Sequence, residues 1–97
     1  MRKVRKVLEF EWDKGNIDKN KKHKVENQEC EQAFFDDNKV IFKDVLHSVT
    51  EKRFVLIGKI ENRRCLYIIF TYRGKKIRVI SARDINKKEV KLYEEAA

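Results

Sequence analysis

The chain has 97 residues, 24 of them Lys or Arg against 16 Asp or Glu, for a net charge of +8. That length allows one domain, residues 1–97, with a single core between two layers, and excludes two independent cores. The basic balance favours an anionic partner (nucleic acid, an acidic protein or a membrane surface), with ordinary solubility as the plainer alternative. Charged and hydrophobic residues each make up 41%, and compact apolar runs stand between the charges, which indicates a folded domain. No apolar run approaches the ~18 residues that a membrane span needs. Met1 to Lys6 is basic, but no long apolar stretch follows it, so a secretory signal is not expected and a soluble, cytoplasmic protein is. Cys30 and Cys65 form neither a disulfide framework nor a metal-binding spacing, and both read as small buried thiols.

In chain order, Val7 to Glu11 alternates as a short strand, and Asp13 offers a helix N-cap. Lys14 to His23 is a polar helix that needs tertiary support, since Gly15 weakens it and only Ile17 is available to bury. Glu26 to Phe35 is a stronger helix, with Val25, Cys30, Ala33 and Phe34 on one stripe. Asp36-Asp37-Asn38 is turn chemistry. Lys39 to Val45 alternates as a second strand, and a polar loop carrying His47 follows it. Lys52 to Ile60, Cys65 to Tyr72 and Ile77 to Arg83 are three further strands. Turns at Asn62-Arg63 and Arg73-Gly74 join them into an antiparallel meander. Asn86, with Glu89 three residues on, predicts a capping box at the start of a last helix, Lys87 to Ala96. The expected fold class is α+β: a small antiparallel sheet packed against two N-terminal helices and one C-terminal helix.

Two-residue turns would put Val55, Ile57, Leu66, Ile68, Phe70, Ile77 and Val79 on the packed face. Phe54, Leu56, Tyr67, Ile69, Thr71, Arg78 and Ile80 would then share the other face, an apolar surface with one cation and two hydroxyls. Such a surface suits an anion and a stacked ring. Strict alternation places Arg53 and Arg83 on the packed face, at opposite strand ends. A one-residue shift of either turn would change these assignments.

The ordered set Phe10-Glu11-Trp12-Asp13, Gly15-Asn16, Lys19-Asn20, Lys22-His23, Ala33-Phe34-Phe35-Asp36, Glu51-Lys52-Arg53-Phe54, Ile57-Gly58 and Ile77-Arg78-Val79-Ile80-Ser81-Ala82-Arg83, followed by Glu89 and Tyr93, resembles the BrnT-type toxins of bacterial type II toxin–antitoxin modules. The chain departs from that pattern in two places. It has one residue fewer between Asn20 and Lys22-His23, and Lys24 stands where the family has Gly. The resemblance implies a RelE-like fold and a metal-independent ribonuclease, without cofactor, that blocks translation. It also implies a cognate ribbon-helix-helix antitoxin, a toxin–antitoxin heterotetramer, and operator DNA contacted only through the antitoxin.

Metal-free RNA cleavage needs a group to take the 2′-OH proton, a group to protonate the leaving 5′-oxygen, and cations to stabilise the phosphorane. Arg53, Arg78 and Arg83 are the candidate cations, because guanidinium forks match phosphate oxygens. His23, Glu89 and Tyr93 are the candidate proton-transfer groups. Lys22 and Lys19 belong to a lysine run that is either a phosphate track or a solvated helix face. Each candidate has a plainer reading: Trp12 as a core anchor, Glu89 as a helix cap or ion-pair partner, Tyr93 as packing. A non-catalytic basic binding domain is the competing function. It differs from a nuclease in needing no convergence of arginines with a proton-transfer group.

Overall fold

Three runs rich in β-branched and aromatic residues form the centre of the sheet: β3 (Arg53–Lys59), β4 (Cys65–Arg73) and β5 (Lys76–Asp84). In the computed structural model, which describes residues 8–44 and 51–96, they are joined by β1 (Glu9–Glu11) and β2 (Val40–Asp44) in the order β1-β5-β4-β3-β2. The helices are α1 (Lys14–Lys22), α2 (Asn27–Phe34) and α3 (Lys87–Ala96). The predicted elements are therefore present within a residue or two at each end. Val7 and His47 lie outside the described residues.

The sheet is mixed rather than purely antiparallel. β1 pairs with β5 in parallel, with Phe10 opposite Ile77, while the other three pairings are antiparallel. A parallel pairing needs a long crossover, here most of the chain, so nothing local in the sequence announces it.

The face assignments for β3 also change. The β3–β4 loop has three residues, Glu61 to Arg63, closed by the Ile60 N–H on the Arg64 carbonyl (2.8 Å), with Arg63 in the left-handed region at φ 65°. Phe54 consequently pairs with Phe70 and Leu56 with Ile68. Phe54 and Leu56 thus join Leu66, Ile68, Phe70, Ile77 and Val79 on the packed face, and Val55 and Ile57 move to the other. The β4–β5 turn is Gly74-Lys75, with Gly74 at φ 60°, the position that requires glycine in a type II′ turn. It slides the expected β4–β5 register by two residues, which leaves the faces of Ile77, Arg78 and Val79 as predicted.

The main core lies between this packed face and α2, with Val25 from the α1–α2 junction. It comprises Val25, Cys30, Ala33, Phe34, Leu56, Ile60, Leu66, Ile68, Phe70, Ile77, Val79 and Ala82, with Trp12 packed at its margin. Trp12 is the core anchor expected of it, and its indole N–H donates to Glu31 (3.0 Å). The α2 helix sits close on β3: a Cβ at Gly58 would lie 2.5 Å from the Ala33 carbonyl oxygen. Beyond the short β1, α1 flanks β5, and the fully buried Asn20 accepts the Ala82 N–H (2.9 Å). Burial pushes the Cys30 thiol up to about 12, whereas Cys65 is only half-buried.

The last helix is placed differently from the first two. It packs against β2 and β3 from the opposite side of the sheet, where Val55 and Ile57 are buried outside the main core. The fold is therefore a sheet with α2 on one face, α3 over part of the other and α1 along the β5 edge.

Candidate functional site

All three candidate arginines emerge on the face that carries α3. For Arg53 the cause is the three-residue loop, which inverts β3 relative to β4. For Arg83 it is a bulge: between the pairs Ile69–Ser81 and Phe70–Val79, β5 has one residue more than β4. Residues 78 and 83 would otherwise face opposite ways; the extra residue returns Arg83 to the side of Arg78. Neither irregularity breaks the hydrophobic pattern, which is why alternation alone misplaces both arginines.

On this face the arginines form two groups. Arg78 lies opposite Thr71, and continuing the β3–β4 register by one step brings Arg53 opposite Thr71 from the other side. Arg53 and Arg78 are then two strand spacings apart, about 10 Å between backbones. Thr71 is buried between them, its hydroxyl donating to the Lys52 carbonyl (2.7 Å). Arg83 lies opposite Tyr67, four residues further along β4, or roughly 13 Å.

Each guanidinium has a carboxylate beside it. Arg53 lies 3.7 Å from Glu51. Arg78 pairs with Asp13, which leads into α1. Arg83 forms a fork with Glu89, at 2.8 and 2.7 Å, and its guanidinium carbon stands 4.1 Å over the Tyr67 ring. This last group is the most built of the three: a planar cation stacked on an aromatic face and held by a bidentate carboxylate. Tyr67 is the residue that sequence reasoning left out of the site. Its signal was its place opposite Arg83, which only the true register reveals.

Glu89 fulfils the predicted capping box. It accepts the Asn86 N–H (2.9 Å), and Asn86 accepts the Glu89 N–H (3.0 Å). Its carboxyl is held below the ordinary range, chiefly by the Arg83 guanidinium and then by the Asn86 N–H, against the opposing effect of burial. One turn on, Tyr93 donates to Asp36 (2.6 Å). Burial, then that hydrogen bond, raises its phenol above the ordinary range. Tyr93 is therefore held protonated.

The depressed Glu89 carboxyl fixes a sign. The Arg83–Glu89 pair contributes stability that is fully present above the unfolded glutamate value of 4.5 and is lost as pH falls through the lower folded value. Glu89→Gln is expected to flatten the acid limb of stability below about pH 4.5, as read from thermal midpoints across a pH series.

His23 and Lys22 are exposed at the C-terminal end of α1. The structure does not bring them against the arginines. Lys19 lies in α1, and its side chain is outside the described residues. The turn at His23 is fastened by Arg64, a cation absent from the predicted site. Arg64 donates to the His23 and Lys24 carbonyls (3.1 and 2.8 Å) and pairs with Glu29 and Asp84. It thereby ties the end of α1 to the end of β5, next to Arg83. The Val25 and Lys24 N–H groups bond back to Asn20 and Lys21 with Lys24 at φ 57°, the left-handed cap of a Schellman motif. Glycine suits that backbone better than lysine does. Lys24→Gly is expected to stabilise the chain by about 1 kcal/mol, readable as a raised denaturation midpoint.

A cavity of about 650 Å³ at the α1–α2 junction is lined by Lys21, Lys24, Val25, Glu26, Asn27 and Gln28. Among the described residues no three His, Cys, Asp or Glu side chains are grouped as metal ligands would be, and no helix is long and apolar enough to cross a membrane.

The arginine face, the Glu89 cap and Trp12-Asp13 fall within one comparison. The family of BrnT ribonuclease toxins of type II toxin–antitoxin systems matches residues 12–89, a span that holds Arg53, Arg78, Arg83 and Glu89 and ends one turn before Tyr93. No curated protein matches the chain significantly. The match covers most of the sequence, and the chain belongs to the BrnT ribonuclease toxin family, a class with an RNA target and a protein antitoxin as partner.

Proposed function

We propose that this protein is a metal-independent endoribonuclease toxin that cleaves RNA on the arginine-bearing face of its sheet and so blocks translation in the cytoplasm. The observation that carries the reading is the emergence of Arg53, Arg78 and Arg83 on one face together with Glu89, which alternation alone would not produce. The 2′-oxygen attacks phosphorus and the bond to the 5′-oxygen breaks, leaving a 2′,3′-cyclic phosphate and a 5′-hydroxyl. Arg83 exchanges the Glu89 carboxylate for phosphate oxygens and stabilises the phosphorane. Glu89, released and ionised, accepts the 2′-OH proton. Tyr67 keeps the guanidinium plane in place during the exchange. Arg53 and Arg78 hold the neighbouring backbone, and Lys22 and Lys19 bind phosphates further along the RNA. Tyr93, protonated at its phenol, gives the leaving 5′-oxygen its proton and does not serve as the base. The fold is RelE-like, and the partner is a ribbon-helix-helix antitoxin that forms a heterotetramer and alone contacts operator DNA.

A non-catalytic RNA- or protein-binding domain is the second reading. It is favoured by the carboxylate beside each arginine and by the separation of Arg83 from the other two. Induced expression with and without the protein encoded in the neighbouring reading frame separates them. The toxin reading expects growth arrest with loss of intact RNA, both relieved by the partner. Normal growth with intact RNA and abundant folded protein would count against it.

A further inference from the structure

The outer edge of the sheet at β2 is unusually apolar. β2 is the last strand in the order, and among the described residues only β3 pairs with it. Edge strands are ordinarily blunted by prolines, bulges or inward charges, because their free N–H and C=O groups invite another strand. Here Val40-Ile41-Phe42 runs without interruption, and the chain has no proline. Ile41 is 45% exposed and Phe42 37% exposed. The two point to opposite faces, Ile41 beside Leu56 and Phe42 beside Val55, so both surfaces of the edge are apolar. Exposed Lys39 and Lys43 bracket them.

We propose that this edge is where the antitoxin adds an extended segment as a sixth strand. The rationale is β-augmentation: main-chain hydrogen bonds supply affinity, and apolar side chains packing over Ile41 and Phe42 supply register. The bracketing lysines and the net charge of +8 call for a segment with apolar residues at its centre and carboxylates at its ends. The position also gives a route to neutralisation. Arg53 is the direct cross-strand partner of Asp44 on β2, so a segment added there is anchored one strand from the arginine face, over which the remainder of the antitoxin reaches. The inference rests on the toxin reading for its partner, but not on RNA cleavage.

The test uses the full chain and the protein encoded in the neighbouring reading frame. Ile41→Lys and Phe42→Lys alter exposed side chains, so both variants are expected to fold with thermal midpoints near that of the parent. Each is expected to weaken the complex about tenfold or more, with RNA cleavage by the free chain unchanged. In the parent complex, backbone amides of residues 40–44 are expected to exchange at least tenfold more slowly than in the free chain. Parental affinity in both variants, or unchanged exchange across β2, overturns the proposal. So does failure of the neighbouring protein to bind at all. A free chain that dimerises, and that Ile41→Lys makes monomeric without affecting partner binding, would assign the edge to a second copy instead. A free chain that does not cleave RNA, yet forms the complex through β2, contradicts the ribonuclease reading and leaves this inference standing.

Discussion

Replacing Arg83 with alanine is expected to lower RNA cleavage by roughly 100- to 1,000-fold, the loss typical of removing one preorganised group from a developing anion. The same change leaves the Glu89 carboxylate, 12% exposed, without its guanidinium partner and costs about 1–3 kcal/mol of stability, less than a domain of this size has in total. The Arg83 side chain is 37% exposed, and the carboxylate it leaves behind keeps its hydrogen bond from the Asn86 N–H. Circular dichroism and thermal unfolding should therefore find Arg83→Ala folded while cleavage falls. Arg83→Lys serves as the stringent control. Lysine keeps the charge but can neither fork to a phosphate nor lie flat on the Tyr67 ring, so most of the activity is expected to be lost in that variant too. Parental cleavage by either variant would remove Arg83 from the chemistry.

The second large effect concerns the core beneath that face. Phe70 is fully buried and touches the Phe34, Phe54 and Tyr72 rings at centroid distances of 5.0, 5.6 and 5.6 Å. It thus joins α2 to β3 and β4. Phe70→Ala removes a large side chain from a packed site and is expected to cost about 3–5 kcal/mol. Domains of this size are stable by about 5–15 kcal/mol in total, and each kcal/mol moves the midpoint by about 4–8 °C. The thermal midpoint should fall by at least ~10 °C. A shift of only a few degrees would mean that the aromatic cluster is not the keystone of the core.

The elements themselves were legible because their signals are local. β-branched runs mark β3, β4 and β5, and Asn86 with Glu89 marks the start of α3. The faces were not, because each depends on a single residue of loop or bulge. Arg63 in the left-handed region adds one residue to the β3–β4 loop and carries Arg53 to the open face. The extra residue near Ile80 does the same for Arg83. The parallel pairing of β1 and the side taken by α3 are fixed by contacts between distant segments: Phe10 beside Ile77, and Glu89 beside Arg83. The sequence pattern around those residues is compatible with other arrangements. Arg64 was invisible as a clasp for the same reason, since its partners His23, Lys24, Glu29 and Asp84 come from three separate regions. Of the proposed site, Arg78 alone could be placed by alternation, and Glu89 was already legible as a cap.

The central claim is that the arginine face cleaves RNA by itself, through the 2′-hydroxyl. The direct measurement is cleavage of a defined RNA by the purified chain in excess chelator, with product ends identified and with a matched substrate lacking the 2′-OH at the scissile position. The account predicts undiminished cleavage in chelator, products ending in 2′,3′-cyclic phosphate and 5′-hydroxyl, no cleavage of the deoxy-substituted substrate, and loss of the reaction in Arg83→Ala. Cleavage that requires added divalent metal, or that proceeds equally on the deoxy-substituted substrate, would contradict it.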